Sequence, residues 1–164
     1  MRQLTTYAKI LFLLMLGSLS YAESPVLSPY SGPYQATVVR VIDGDTIEVD
    51  AEVWPGLVAR YAVRERGIDA PEIRRVACEE ERKWGEDAKA QLEKLYPAGQ
   101  IIRLDDVALD GFGRVLADVR RLLPSDQFIP LERDMISRRL AVEWDPSMAD
   151  VQWCLLATTR DSAD

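Results

Sequence analysis

The sequence predicts a mainly β domain with α additions, a five-stranded Greek-key barrel carrying two to three helices, and three observations support it. Short β-branched runs separated by Asp-Gly and Pro-Gly turns open the fold. One strongly amphipathic helical stretch follows, over residues 79–95. Two more strand-like runs and a second helical pattern come after it. At 164 residues the chain has room for one ordinary domain with a core and short appendages.

Residues 1–22 read as a secretory signal peptide: Arg2 and Lys9 are basic, Ile10 to Leu16 are apolar, and Ser20-Tyr21-Ala22 has the expected cleavage spacing. An uncleaved N-terminal anchor is the alternative. The mature chain is expected to start near Glu23, with no membrane span, in the periplasm or outside the cell. No later segment approaches the roughly 20 apolar residues that cross a bilayer. Residues 23–33 form a Ser/Pro-rich leader, 34–145 the domain, and 146–164 a C-terminal tail.

Within the domain, Gln35 to Ile42 is β-branched and apolar, Asp43-Gly44 signals a turn, and Thr46 to Asp50 alternates with Ile47 and Val49 on one face. A second turn at Trp54-Pro55-Gly56 leads into a strand from about Val58 to Gly67, completing a three-stranded meander. From Glu79 to Leu95, Trp84, Ala88, Leu92 and Leu95 recur at helical spacing, and Pro97 and Gly99 end the run. Trp84 therefore belongs to the core. Ile101 to Leu104 and Val115 to Val119 read as strands. Pro130 is expected in a first helical turn, with Leu131, Met135, Ile136 and Leu140 on one face. Three strands, a helix, two strands and a helix fit a barrel of the OB type.

Composition narrows the chemistry. There is no histidine, which excludes histidine bases, nucleophiles and metal ligands. Of 20 basic and 27 acidic residues, removing Arg2 and Lys9 leaves 18 against 27, a mature charge of −9. Long-range attraction to phosphate is then weak, so any phosphate binding rests on local arginines and a metal ion. The two cysteines, Cys78 and Cys154, suit one disulfide in an oxidising compartment, two free thiols being the alternative.

Three clusters carry the candidate chemistry: Asp43-Gly44-Asp45-Thr46, Arg64 through Glu72, and Asp110-Gly111-Phe112-Gly113-Arg114. Asp45 and Asp69, converging from different strand ends, make an oxygen-only site suited to calcium or magnesium. Each aspartate alone reads first as a turn or cap residue. Glu72, stiffened by Pro71, can hold or deprotonate a water; alone it reads as a solvated loop glutamate. Arg64 within a strand and Arg114 at the start of one can grip a phosphate through paired hydrogen bonds, or pair with Glu65, Asp69 or Asp118.

In this order across about seventy residues, the clusters resemble the hallmark segments of the staphylococcal nuclease (thermonuclease) family, and the resemblance covers roughly Gln35 to Asp145. It implies an OB-fold barrel and one calcium ion held by the carboxylates of Asp45 and Asp69 and the backbone carbonyl of Ala70, with Asp43 in the outer shell. It further implies that Arg64 and Arg114 hold the scissile phosphate and that Glu72 positions or activates the attacking water. DNA and RNA would be the substrates, cut to leave 3′-phosphate ends, and the protein is expected to be a monomer. Phe112 and Trp144 fall where the family binds substrate, and Trp144 suits base stacking or packing.

The chain departs from the family at several points. Gly111-Phe112 keeps the ring but loses a lysine and a hydroxyl that contact a terminal phosphate in the family, which counts against terminal-phosphate binding and leaves cleavage within a strand unthreatened. Glu65 shares a strand face with Val63 and, if buried, calls for an arginine partner such as Arg66 or Arg103. A catalytically weak or inactive OB-fold module binding nucleic acid or another anionic polymer is the alternative function, and an acidic envelope protein binding calcium for stability is a third.

Overall fold

Among residues 32–111 and 113–160, which the computed structural model describes, the chain runs β1 (Tyr34–Val41), β2 (Thr46–Trp54), β3 (Leu57–Glu65), β4 (Ile68–Asp69), α1 (Glu79–Leu95), β5 (Ile101–Leu109), β6 (Val115–Leu122), β7 (Phe128–Pro130), α2 (Leu131–Ile136), β8 (Val142–Glu143) and α3 (Trp153–Arg160). The expected signal peptide, nearly all of the leader, and Phe112 lie outside the described residues.

Strands β1, β2, β3, β6 and β5 close into a barrel. All neighbours are antiparallel except β3 and β6, which run parallel and seal it through Val63↔Val115, Arg64↔Leu116 and Glu65↔Ala117. This is the five-stranded OB arrangement that the element order predicts. Strand β7 extends the sheet from β6, while β4 and β8 form a separate two-stranded ribbon.

The period of two along the strands fills the barrel. Ile47, Val49, Val63, Ala117 and Val119 are completely buried, and each large apolar side chain so placed contributes about 1.5–3 kcal/mol relative to exposure. A bulge between Val38 and Arg40 keeps this pattern in β1. It turns Val41 inward and leaves Arg40 outside, donating both Nε and Nη2 to Glu48 at 3.0 Å.

Helix α1 matches its predicted span and buries Trp84, Ala88 and Leu92 on one stripe. Glu79, Glu80 and Glu81 occupy its first turn, the favourable sign for a helix N-terminus. Strands β2, β5 and β6 run longer than expected. In β5 the extension follows a bulge between Asp105 and Ala108, with Asp106 at φ 47°.

Two boundaries differ from the sequence reading. The expected strand from Val58 to Gly67 stops at Glu65, because Gly67, at φ 80°, turns the chain into β4. Pro130 does not lie in a helical turn: it ends β7 with extended backbone, ψ 142°, and α2 begins at Leu131. Leu131, Met135 and Leu140 are nonetheless buried.

The chain beyond residue 145 is more than a tail. Helix α3 buries Trp153 and Ala157 in the core, and Cys154 is disulfide-bonded to Cys78 with the Cα atoms 5.9 Å apart. Such a bond is compatible with an exported protein. No described helix is long and apolar enough to cross a membrane.

Glu65 is buried, at 3% exposure, but among the described residues no arginine pairs with it. Its carboxylate instead accepts the backbone N–H of Val119 at 2.8 Å and of Glu132 at 3.2 Å, the second in the first turn of α2. Neither Arg66 nor Arg103 is its partner: Arg66 pairs with Asp118 and Arg103 with Asp105. Burial pushes the Glu65 carboxyl up to about 8 against those two donors.

Candidate active site

The β2–β3 register builds the centre of the site. Thr46 lies opposite Arg64, and the Glu65 N–H donates to the Asp45 carbonyl at 2.8 Å, so Asp45 reaches Arg64 although 19 positions separate them. Arg64 Nη1 donates to Asp45 Oδ2. Its Nη2 donates to Asp69 Oδ1 at 2.9 Å and to the Ile68 carbonyl at 3.2 Å. Of the partners the sequence offered Arg64, Asp69 is the one it takes, and with its side chain only 14% exposed Arg64 spans two aspartates.

Asp45 is the most enclosed of these groups, at 3% exposure. Its Oδ1 accepts the Thr46 hydroxyl at 2.8 Å, and its Oδ2 also accepts the Ala70 N–H at 3.2 Å. Burial first, then the like charges of Asp43 and Asp69, push its carboxyl up to about 7 against Arg64 and Thr46. Asp43 folds back locally, its Oδ1 accepting the Asp45 N–H at 3.3 Å.

Two glycines permit the close packing around these carboxylates. A Cβ on Gly44 would lie 2.7 Å from the Ala70 Cβ and 2.9 Å from the Ala88 Cβ, so the β1–β2 turn rests directly on α1 and the 70–72 loop. On the other side of that loop, a Cβ on Gly85 would lie 2.6 Å from the Pro71 carbonyl oxygen and 2.7 Å from that of Glu72. Glu81 Oε2 accepts the Ala77 N–H at 2.7 Å and its Oε1 the Glu72 N–H at 3.4 Å, holding both ends of the segment that carries Glu72.

Glu72 itself is exposed. Partial desolvation, then the charges of Asp43 and Asp69, raise its carboxyl above the ordinary range, with Arg64 acting the other way. Among the described residues its carboxylate oxygens accept no hydrogen bond.

Arg114 immediately precedes β6, the strand that adjoins β3. Its neighbour Val115 pairs with Val63, the neighbour of Arg64, so both arginines leave the outer face of two parallel strands. Asp110 steadies it, accepting the Arg114 Nε at 2.6 Å and its backbone N–H at 2.8 Å. Phe112, between them in sequence, lies outside the described residues. Trp144 is half-buried and donates its backbone N–H to the Gly67 carbonyl at 3.0 Å, just beyond the β4–β8 ribbon that ends in Asp69.

The structure therefore brings Asp43, Asp45, Arg64, Asp69, Ala70 and Glu72 to one corner, with Arg114 just ahead of the adjoining strand β6. Sequence reasoning missed three contributors. Gly85 carried a signal, because glycine inside a strong helical pattern costs about 1 kcal/mol and calls for a reason. Glu81 and Trp153 carried none: Trp153 Nε1 donates to Asp69 Oδ2 at 2.9 Å across 84 positions.

The chain matches no protein-family model and no curated protein. Function must therefore be argued from this corner. Two other features compete with it and are set aside. Cys78, Glu81 and Cys154 lie close enough to ligate a metal, but the two sulfurs are bonded to each other and offer no thiolate. An apolar cavity of about 440 Å³ opens at a mouth of the barrel between Tyr34, Val53, Tyr61 and Val107, and no charged residue lines it.

Proposed function

We propose that the protein is an exported, calcium-dependent phosphodiesterase that hydrolyses DNA and RNA within the strand, in the manner of the staphylococcal nuclease family that its clusters resemble. One observation carries the reading: two aspartates converge on the Arg64 guanidinium while Glu72, two residues beyond Ala70, keeps its carboxylate unengaged.

The corner suits a hard cation. Asp43, Asp45, Asp69 and Glu72 outnumber Arg64 in charge, and every donor is oxygen. Burial is the main reason the Asp45 carboxyl is raised, and the neighbouring Asp43 and Asp69 add to it. Arg64 already stands as a positive charge between Asp45 and Asp69. Asp45 and Asp69 would hold the ion, with the Ala70 carbonyl as a further ligand and Asp43 outside them. The chemistry such an ion supplies is neutralisation of charge at the phosphate.

The remaining steps belong to the chain's own groups. Glu72 takes a proton from a water aligned for attack on phosphorus. The new P–O bond forms as the bond to the 5′ oxygen breaks; that oxygen takes up a proton and the 3′-phosphate end remains. Arg64 and Arg114 balance the charge that builds on the phosphoryl oxygens. Asp110 aims the Arg114 guanidinium, and Trp144 offers a face beside the site for a base.

The test is hydrolysis of single-stranded DNA and RNA by the mature protein with millimolar calcium, with and without chelator. Cleavage is expected only with calcium, and Glu72→Gln is expected to lower it by orders of magnitude while calcium binding persists. Intact substrate with calcium at alkaline pH would overturn the reading.

A second reading is favoured by a specific observation: both arginines already have aspartate partners, Arg64 with Asp45 and Asp69, and Arg114 with Asp110. A non-catalytic OB module binding an anionic polymer would then bind oligonucleotide equally in chelator and be indifferent to Glu72→Gln.

A further inference from the structure

We infer that Trp153 is a positioning residue for Asp69, fixing which carboxylate oxygen faces a bound divalent cation. The inference rests on the cation reading of the corner. It concerns a residue that neither the three clusters nor their order includes.

Asp69 ends a two-residue strand, and its side chain is 27% exposed, so nothing in its own segment fixes its carboxylate. Two partners divide it. Oδ1 accepts Arg64 Nη2 at 2.9 Å, on the side of Asp45; Oδ2 accepts the Trp153 indole N–H at 2.9 Å, on the side of α3. An indole N–H is a neutral donor with no acceptor capacity. It orients the carboxylate without cancelling the charge a cation needs. Partners that fix a ligand's orientation in this way commonly change metal affinity 10- to 100-fold when removed.

The donor is itself held from three directions. Trp153 is 4% exposed and opens α3. Its ring meets Trp84 edge-on, with centroids 5.0 Å apart at 84°, and the Trp84 Nε1 donates to the Arg139 carbonyl at 3.0 Å. The next residue, Cys154, is bonded to Cys78, immediately ahead of α1. A buried indole N–H needs an acceptor in any case; here the acceptor is Asp69 Oδ2, so the bond that satisfies the donor also orients the carboxylate.

The test is calcium titration of the full mature chain followed by calorimetry, comparing wild type with Trp153→Phe, which keeps a ring against Trp84 and removes the N–H. A calcium Kd raised by about 10- to 100-fold is expected, with the calcium-free variant retaining its circular dichroism. In the wild type, the Trp153 indole N–H resonance is also expected to move on calcium addition, while that of exposed Trp54 stays in place. This second measurement decides the matter if Trp153→Phe does not fold. Equal calcium affinity in both proteins, or a stationary Trp153 resonance in a calcium-bound wild type, overturns the role of Trp153 and leaves the nuclease reading standing. A wild type that binds no calcium overturns both.

Discussion

Replacing Gly85 by alanine tests whether α1 holds Glu72 in place. The added Cβ would sit 2.6 Å and 2.7 Å from the Pro71 and Glu72 carbonyl oxygens, against about 3.4 Å for ordinary contact. The shortfall is about 0.8 Å. Both obstructing atoms are backbone, so no rotamer change relieves the overlap and the loop must move, carrying Glu72 with it. Overpacking of this kind costs roughly 1–3 kcal/mol, and the better helix propensity of alanine offsets about 1 kcal/mol. The net loss of about 0–2 kcal/mol lowers Tm by no more than about 8 °C in a domain of this size. Misplacing a reacting group by about 1 Å can cost on the order of 100-fold in rate. Activity is therefore expected to collapse in a protein that still melts cooperatively. The assay is the initial rate on a fluorogenic single-stranded oligonucleotide with calcium, beside a thermal melt, with Glu86→Ala on the exposed face of α1 as control. A Gly85→Ala protein that cuts within about threefold of the wild-type rate would refute the argument.

Other outcomes follow from the same contacts. Replacing Cys78 and Cys154 by serine opens a link between positions 76 apart; the chain-entropy relation gives a loss of roughly 4.5 kcal/mol for that separation, measurable by urea denaturation. The Glu65 carboxyl is raised from 4.5 to about 8 in the folded chain, so its contribution to stability is present in full below about pH 4.5 and is lost as pH rises through about 8. Between those values the folded state binds the extra proton, and stability falls by up to about 1.4 kcal/mol per pH unit from this group. Thermal melts across pH 5–9 are expected to show that decline, and to show it flattened in Glu65→Gln. A decline equally steep in the variant would remove Glu65 as its source. Glu72→Gln is expected to separate binding from cleavage, with oligonucleotide affinity within about threefold of wild type by titration in calcium while the rate is lost.

What was legible in the sequence was local. Trp84, Ala88, Leu92 and Leu95 mark out α1 through their own spacing, and the Asp-Gly turn and the alternation of Ile47 and Val49 mark the first hairpin. The charged clusters were visible because their members are close in sequence, and barrel register then carries Asp45, Arg64 and Asp69 to one corner. What escaped depends on contacts made only after the barrel closes. Glu65 called for an arginine and received two backbone amides from β6 and α2, 54 and 67 positions away. The pairing of Arg64 with both aspartates required the β2–β3 register. Helix α3 has little amphipathic pattern of its own, and a disulfide and the Trp84 ring fasten it rather than a repeating apolar stripe.

The parallel seam between β3 and β6 has a consequence for the life of the chain. Hairpins form from neighbouring residues, but this seam joins segments about fifty positions apart with a whole helix between them, and such non-local pairings form late. Until they do, Arg64 and Arg114 ride on separate lengths of polypeptide, and the phosphate clamp proposed for them cannot form. On the nuclease reading proposed above, a chain whose barrel is still open would be inert toward nucleic acid. The order in which the strands pair would then itself guard the DNA and RNA of the cell that makes such an enzyme until the barrel shuts.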